Sequence, residues 1–163
     1  MTPTDPLRQQ LLELLDGGHA HMDLDQAVAD FPMDHINDRA PNGSYSVWAL
    51  LEHIRRAQED ILRFTLDPDY VSPPWPKGYW PDPDETATPE KWQLTLTGYR
   101  QDLRALRDVV ADPRTDLESD LPHAPGYSVL REVLVCCDHA AYHIGEFAIL
   151  RQVLGTWPDG RQA

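Results

Sequence analysis

The chain has 163 residues, 41% of them hydrophobic and 25% charged, with a formal net charge of −13. Such a length and composition suit one globular domain spanning residues 1–163 and argue against a disordered chain. The acidity excludes nucleic acid as a partner, because phosphate binding needs a basic face and no cluster of Lys and Arg supplies one.

No uninterrupted apolar run approaches the roughly 20 residues that span a bilayer. The opening "MTPTDPLRQQ" has no basic segment followed by an apolar one. The expectation is a cytoplasmic protein with no membrane partner. Cys136 and Cys137 are neighbours on one helix, point about 100° apart and are expected reduced and half-buried.

A first helix is predicted from Thr4 or Asp5, with Pro6 in its first turn and Leu7, Leu11, Leu14 and Leu15 as its apolar stripe. Gly17 and Gly18 weaken it, and a second helical piece over Met22–Asp30 continues it. The polar stretch "FPMDHINDRAPNGSYS" reads as a connection. A second long helix runs from Ser46, its N-cap, to Leu66. It is apolar along Val47, Leu50, Ile54, Ala57, Ile61 and Phe64, and polar along Arg55, Arg56, Glu59 and Arg63.

Residues 67–88 hold six prolines together with Trp75, Tyr79 and Trp80. That composition forbids regular structure. A loop this long inside a compact domain is often a site wall, and its aromatic residues are expected to hold it down by packing.

The third long helix opens on Thr88 and Pro89, with Trp92, Leu96, Tyr99, Leu103, Leu106 and Val110 as a bundle seam. After the connection "ADPRTDLESDLPHAPG", a fourth runs from near Ser128 to Gly155. Strand signals are almost absent, so the fold class is all-α, a four-helix bundle with a long proline- and aromatic-rich loop between the second and third long helices.

Within "DHAAYHIGEF", His139 and His143 stand at i and i+4 on one helical face, the spacing that lets two imidazoles share a metal. Alone, such a pair is weak evidence, because core histidines are common. His53, between Leu50 and Ile54, adds a third imidazole from a second helix. "GSYSVWALLEH" and "PGYSVLREVLVCCDH" both start Tyr-Ser-Val. They place His53 and His139 about 20° short of and past whole helical turns from Ser46 and Ser128. Three nitrogens with positions left open describe a catalytic rather than a structural metal. Three imidazoles suit Zn or Ni, with Fe, Mn or Cu also compatible.

Glu146, one turn beyond His143, is a candidate catalytic base, a fourth ligand or a partner of His143; a plain charge at the bundle mouth explains it equally well. Glu132 suits the positive end of its helix near the entrance. Cys136 lies about 60° from His139 and is read as packing. His19, His21, His35 and His123 fall in or near loops and are expected solvated, with His35 bordering the pocket. Trp75, Tyr79 and Trp80 are candidate walls for an apolar substrate. Leu130, Leu134, Cys137, Ala141 and Ala148 form a second apolar face on the last helix, which predicts a homodimer.

"SVWALLEHIRRAQEDIL", "SPPWPKGYWPD" and "DHAAYHIGEFAILRQVLG", in that order, resemble the DinB-like superfamily over nearly the whole chain. The resemblance implies a four-helix bundle whose metal ligands fall on His53, His139 and His143, and it also suggests a dimer. Some relatives transfer a low-molecular-weight thiol to an electrophile, as bacillithiol transferases and mycothiol-dependent isomerases do. The resemblance therefore implies a metal-dependent thiol S-transferase acting on a small molecule in detoxification or stress. A metal-dependent hydrolase and a non-catalytic metal-binding stress-response protein remain open alternatives, as does a bundle whose histidines only fill its core.

Overall fold

The computed structural model describes residues 5–158. Asp5 caps α1 (Pro6–Asp16): its Oδ1 accepts from the amides of Leu7 and Arg8, and Pro6 sits where an N–H would lack a helical partner. Thr4, the alternative start, lies outside the described residues. Gly17, at φ 66°, ends α1 in a conformation that a Cβ would strain.

The helix does not continue over Met22–Asp30. Only α2 (Leu24–Val28) is helical there, set off by a capping box in which Asp23 and Gln26 each accept from the other's amide.

The long helices start as the sequence indicates. Ser46 Oγ accepts from the Ala49 amide to open α3 (Val47–Leu66). Thr88 and Pro89 open α4 (Pro89–Ala111), and Ser128 Oγ accepts from Arg131 to open α5 (Val129–Leu154). The bundle is α1, α3, α4 and α5, with α3 packed against both α4 and α5. The connection before α5 departs from expectation. It holds an antiparallel hairpin, β1 (Asp120–Leu121) and β2 (Ala124–Ser128), too short for period-two alternation to register.

Two apolar clusters fill the bundle. One gathers Trp48, Leu51, Trp92 and Phe147 around Phe31, whose ring stacks on Trp92 at 5.1 Å. The other gathers Leu11, Leu62, Leu106, Val110 and Val133 around Cys136. Between α3 and α4 a buried polar knot replaces apolar contact. Glu52 accepts from Arg55, Arg56 and the Thr95 hydroxyl, while Trp48 Nε1 donates to Thr95 Oγ1. Burial by itself would raise the Glu52 carboxyl. The bonds from Arg55 and Arg56 outweigh it and hold the group below its ordinary range.

Arg151, with no exposed surface, donates to the carbonyls of Ala27, Ala29 and Thr156. It ties the last turn of α5 to the end of α2 and to the chain beyond.

By length and composition alone, α5 is also apolar enough to cross a membrane, the one described helix that is. The sequence reading missed this because polar residues interrupt its apolar run. A core helix passes the same test, and Val129, Val133, Ile144, Phe147 and Leu150 of α5 are buried in the bundle.

The apolar face left open on α5 differs from the expected one. Leu130 and Cys137 pack against the second cluster and Ala148 is buried. The exposed stripe is Leu134, Val135, Tyr142, Ile149 and Val153. The bundle partners of α5 cover a wider arc than the period alone indicates.

Candidate metal centre

The buried side of α3 meets α5 where His53 faces His139 and His143. His53 is 1% exposed, in the middle of α3. Its Nε2 lies 3.2 Å from Nε2 of His143 and 3.1 Å from Nε2 of His139. One ligand atom from each of the three rings falls within 4.8 Å of the others.

The far sides of two of these rings are held. His53 Nδ1 donates to the Tyr79 carbonyl at 3.0 Å, and His143 Nδ1 donates to Glu146 Oε2 at 2.7 Å. A carbonyl and an ionised carboxylate can only accept, so each of these rings carries its proton on Nδ1. Their Nε2 atoms therefore present lone pairs to each other at 3.2 Å with no proton between them. A cation among the three nitrogens resolves that repulsion. Zinc bonds of about 2.0–2.1 Å at tetrahedral angles put nitrogens roughly 3.3 Å apart, close to the spacing found here. The donor set thus fits a divalent transition metal, and the three histidines are positioned to hold one.

The electrostatics agree. Burial is the main cause that lowers His139 and His143 to about 4, with the neighbouring imidazoles adding to it. Burial also lowers His53, against the opposing hydrogen bond to Tyr79. The rings are neutral at pH 7, which is the form that ligates.

The loop over residues 67–88 closes one side. Trp80 lies parallel to His53 at 3.9 Å between ring centres. Arg56 donates to the Trp80 carbonyl at 2.8 Å, and the Tyr79 hydroxyl donates to Asp60 Oδ2 at 2.7 Å. Thus α3, which carries His53, also anchors the loop that fixes the tautomer of His53. A cavity of about 320 Å³ opens beside this wall, lined by Tyr45, Ala49, Trp80 and Pro81, with Arg39 and Asp82 among its charged lining.

Of the other residues singled out from sequence, Glu146 is in the assembly. It bridges His143 and the Tyr45 hydroxyl, which donates to its Oε1. Because it holds the Nδ1 side of His143, its place is behind the ligand, the usual station of a carboxylate that orients a metal-bound imidazole. Burial raises its carboxyl above the ordinary value.

Trp80 and the Tyr79 backbone also belong to the site. Trp75 does not touch the triad: it is 71% exposed and meets Tyr79 edge-on. His35 is exposed, pairs with Asp38 at 2.6 Å and lines neither described cavity. His123 is half-buried, with its Nε2 2.8 Å from the Phe64 carbonyl. Glu132 is in the first turn of α5 but is buried and paired with Arg131. It stands two turns, or roughly 10 Å, before His139, away from the triad. Cys136 packs in the second cluster, as expected, and burial pushes its thiol up to about 12.

Tyr45, Arg39 and Asp60 were not foreseen. The repeated Tyr-Ser-Val start was a signal for the first. Tyr45 precedes the α3 cap and reaches across to α5, while Tyr127 precedes the α5 cap and packs against Phe64 of α3. Arg39 and Asp60 carried no pattern.

No curated protein and no solved structure matches the chain. The model of the DinB superfamily matches residues 7–147. That covers α1 through the histidine pair of α5 and most of the chain. On this match, and with a helical bundle bringing three imidazoles to one point, the chain belongs to the DinB superfamily.

Proposed function

We propose that this protein is a metal-dependent enzyme that transfers a low-molecular-weight thiol to a small electrophile, with a role in detoxification or stress. The observation that carries the reading is the convergence of three neutral Nε2 atoms beside the cavity of about 320 Å³. His53, His139 and His143 would hold the metal, with Zn or Ni the best match and Fe, Mn or Cu also compatible. When bound there, such an ion supplies Lewis acidity that lowers the pKa of a coordinated thiol or water.

The chain supplies the rest. The Tyr79 carbonyl and Glu146 keep the ligand rings in register. Trp80 keeps water off one face of His53, and its neighbours wall the electrophile. In the transfer, sulfur bonds to the electrophilic carbon as the leaving group departs. The thiol proton passes to solvent and the departing group takes one up from it, while Glu146 stays behind His143, accepting from its Nδ1–H and from the Tyr45 hydroxyl. Hydrolysis is the second reading, with water in place of the thiol as the nucleophile.

The test combines elemental analysis with turnover. Wild-type protein should carry about one metal per chain, and His53→Ala should lose it while remaining helical. Thiol loss with a panel of alkyl halides and epoxides supports transfer. Ester cleavage without thiol favours hydrolysis, and a metal-loaded protein inert in both assays removes the catalytic reading.

We also propose a homodimer formed through the C-terminal part of the α5 stripe, on the strength of the exposed Tyr142, Ile149 and Val153. Light scattering that gives a monomer at micromolar concentration would refute it.

A further inference from the structure

A second cavity, of about 350 Å³, lies on the opposite flank of α5, between that helix, α4, the end of α1 and the turn into α2. It shares no lining residue with the cavity beside the triad. Its size is at the lower end of small-molecule sites. Its body is apolar, walled by Leu14, Leu103, Leu134, Ala141 and Ile144.

Two polar groups are set into this apolar body. Gln58 is 3% exposed, and its amide nitrogen donates to the Tyr99 carbonyl at 2.7 Å. Tyr99 is 8% exposed, and its hydroxyl makes no hydrogen bond among the described residues. Both line the cavity. The amide oxygen of Gln58 and the hydroxyl of Tyr99 offer a ligand N–H or O–H its acceptors in this apolar lining.

The charged lining is acidic. Asp16, Asp23, Asp25 and Asp138 line the cavity with a single cation, Arg100. Asp25 is neutralised by Arg100 and Asp16 by Arg107, while Asp23 caps α2. Asp138, exposed on α5, has no hydrogen-bond or ion-pair partner among the described residues. An anion would meet this carboxylate and an overall charge of −13. The two cysteines of the wall do not make the cavity reactive. Burial pushes the Cys137 thiol up to about 11 and that of Cys136 to about 12, so neither is a thiolate at neutral pH.

We propose that this cavity binds a small amphiphilic cation, an amine with an apolar body. The ammonium sits at Asp138, the body lies against the α4 and α5 side chains, and a hydrogen-bond donor, where the ligand has one, reaches Gln58 Oε1.

Calorimetry on the full-length, metal-loaded protein tests this with octylammonium, octanol and octanoate, which share one chain and differ in head group. Octylammonium should bind tightest and octanoate weakest. Asp138→Asn, on the surface, should weaken octylammonium about two- to fivefold and leave octanol unchanged, the range expected of one exposed ion pair. Ala141→Phe should abolish binding of all three, with circular dichroism confirming that the variant is helical. Equal affinity for the three head groups overturns the proposal, as does an Asp138→Asn variant that binds octylammonium like wild type. Octylammonium binding that survives in helical Ala141→Phe places the ligand elsewhere and also overturns it.

Discussion

Two stretches of α5 are both shielded from solvent and yet prepare opposite chemistries. In one, His139 and His143 face His53; in the other, on its N-terminal side, Cys136 and Cys137 face the second cluster and its cavity. Burial favours the neutral form in both. For an imidazole the neutral form has a lone pair and is the ligand. For a cysteine the neutral form is a thiol, a poor ligand and a poor nucleophile. One physical cause therefore makes the histidine stretch ready for metal and the cysteine stretch inert. The nearness of Cys136 to His139 in sequence says nothing about shared function.

The strongest way to break this contrast is to truncate a side chain in each stretch. His143→Ala should weaken metal binding by about a hundredfold or more, since one of three ligands is gone. Cys136→Ala should leave metal stoichiometry unchanged and cost about 1–2 kcal/mol of stability through a small core void. Competition with a chromogenic chelator and thermal unfolding read the two effects. Metal loss in Cys136→Ala would show that the two stretches are not separate.

Next in size is Glu146→Gln. The amide can still accept from His143 Nδ1 but offers no charge, so metal affinity should fall about 10- to 100-fold, the range found for partners behind a ligand. An unchanged affinity would mean that Glu146 does not support His143.

The smallest effect sharpens the contrast through pH. In the metal-free protein, His139 and His143 are lowered to about 4 from an ordinary 6.5. Between those values the unfolded chain binds protons that the folded chain refuses. Stability is therefore full above about pH 6.5 and is lost as pH falls toward 4. The cysteines act in the other direction. Their thiols are raised from 9.0 to about 12 and 11, so the folded chain holds protons that the unfolded one releases, and stability is lost as pH rises from 9 toward 11. The acid-side loss should be on the order of 2 kcal/mol, about 4–8 °C in Tm. It should shrink in a His139→Ala, His143→Ala double variant, and the alkaline loss in Cys137→Ala. A metal-free protein whose Tm is flat between pH 4 and 6.5 would contradict the histidine half.

The long helices were legible because their ends carry local chemistry. Ser46, Thr88 and Ser128 cap where the sequence places caps, and the four- and three-residue spacing of Trp92, Leu96 and Tyr99 buries as a seam. The hairpin at β1 and β2 was not, because strands of two and five residues cannot establish a period. Within the site, the ligand spacing on α5 was a matter of helical geometry, and His53 followed from the apolar residues around it. The contacts of the loop were beyond reach. Trp75 and Trp80 are five residues apart in one proline-rich segment, and only the path of the backbone over α3 decides that Trp80 covers His53 while Trp75 stays exposed. The stripe on α5 was misplaced for a related reason: which arc of an apolar helix is covered depends on how many neighbours it has.

The hydrogen bond from His53 Nδ1 to the Tyr79 carbonyl couples two things that are usually regarded separately. The loop's backbone selects which nitrogen of His53 is free to coordinate, so filling the centre and ordering the loop are one equilibrium. Loading the protein should slow protease cleavage in residues 67–88, and weakening the Asp60 anchor of Tyr79 should be felt as faster metal release. A segment with no ligand of its own thereby becomes a gauge of occupancy.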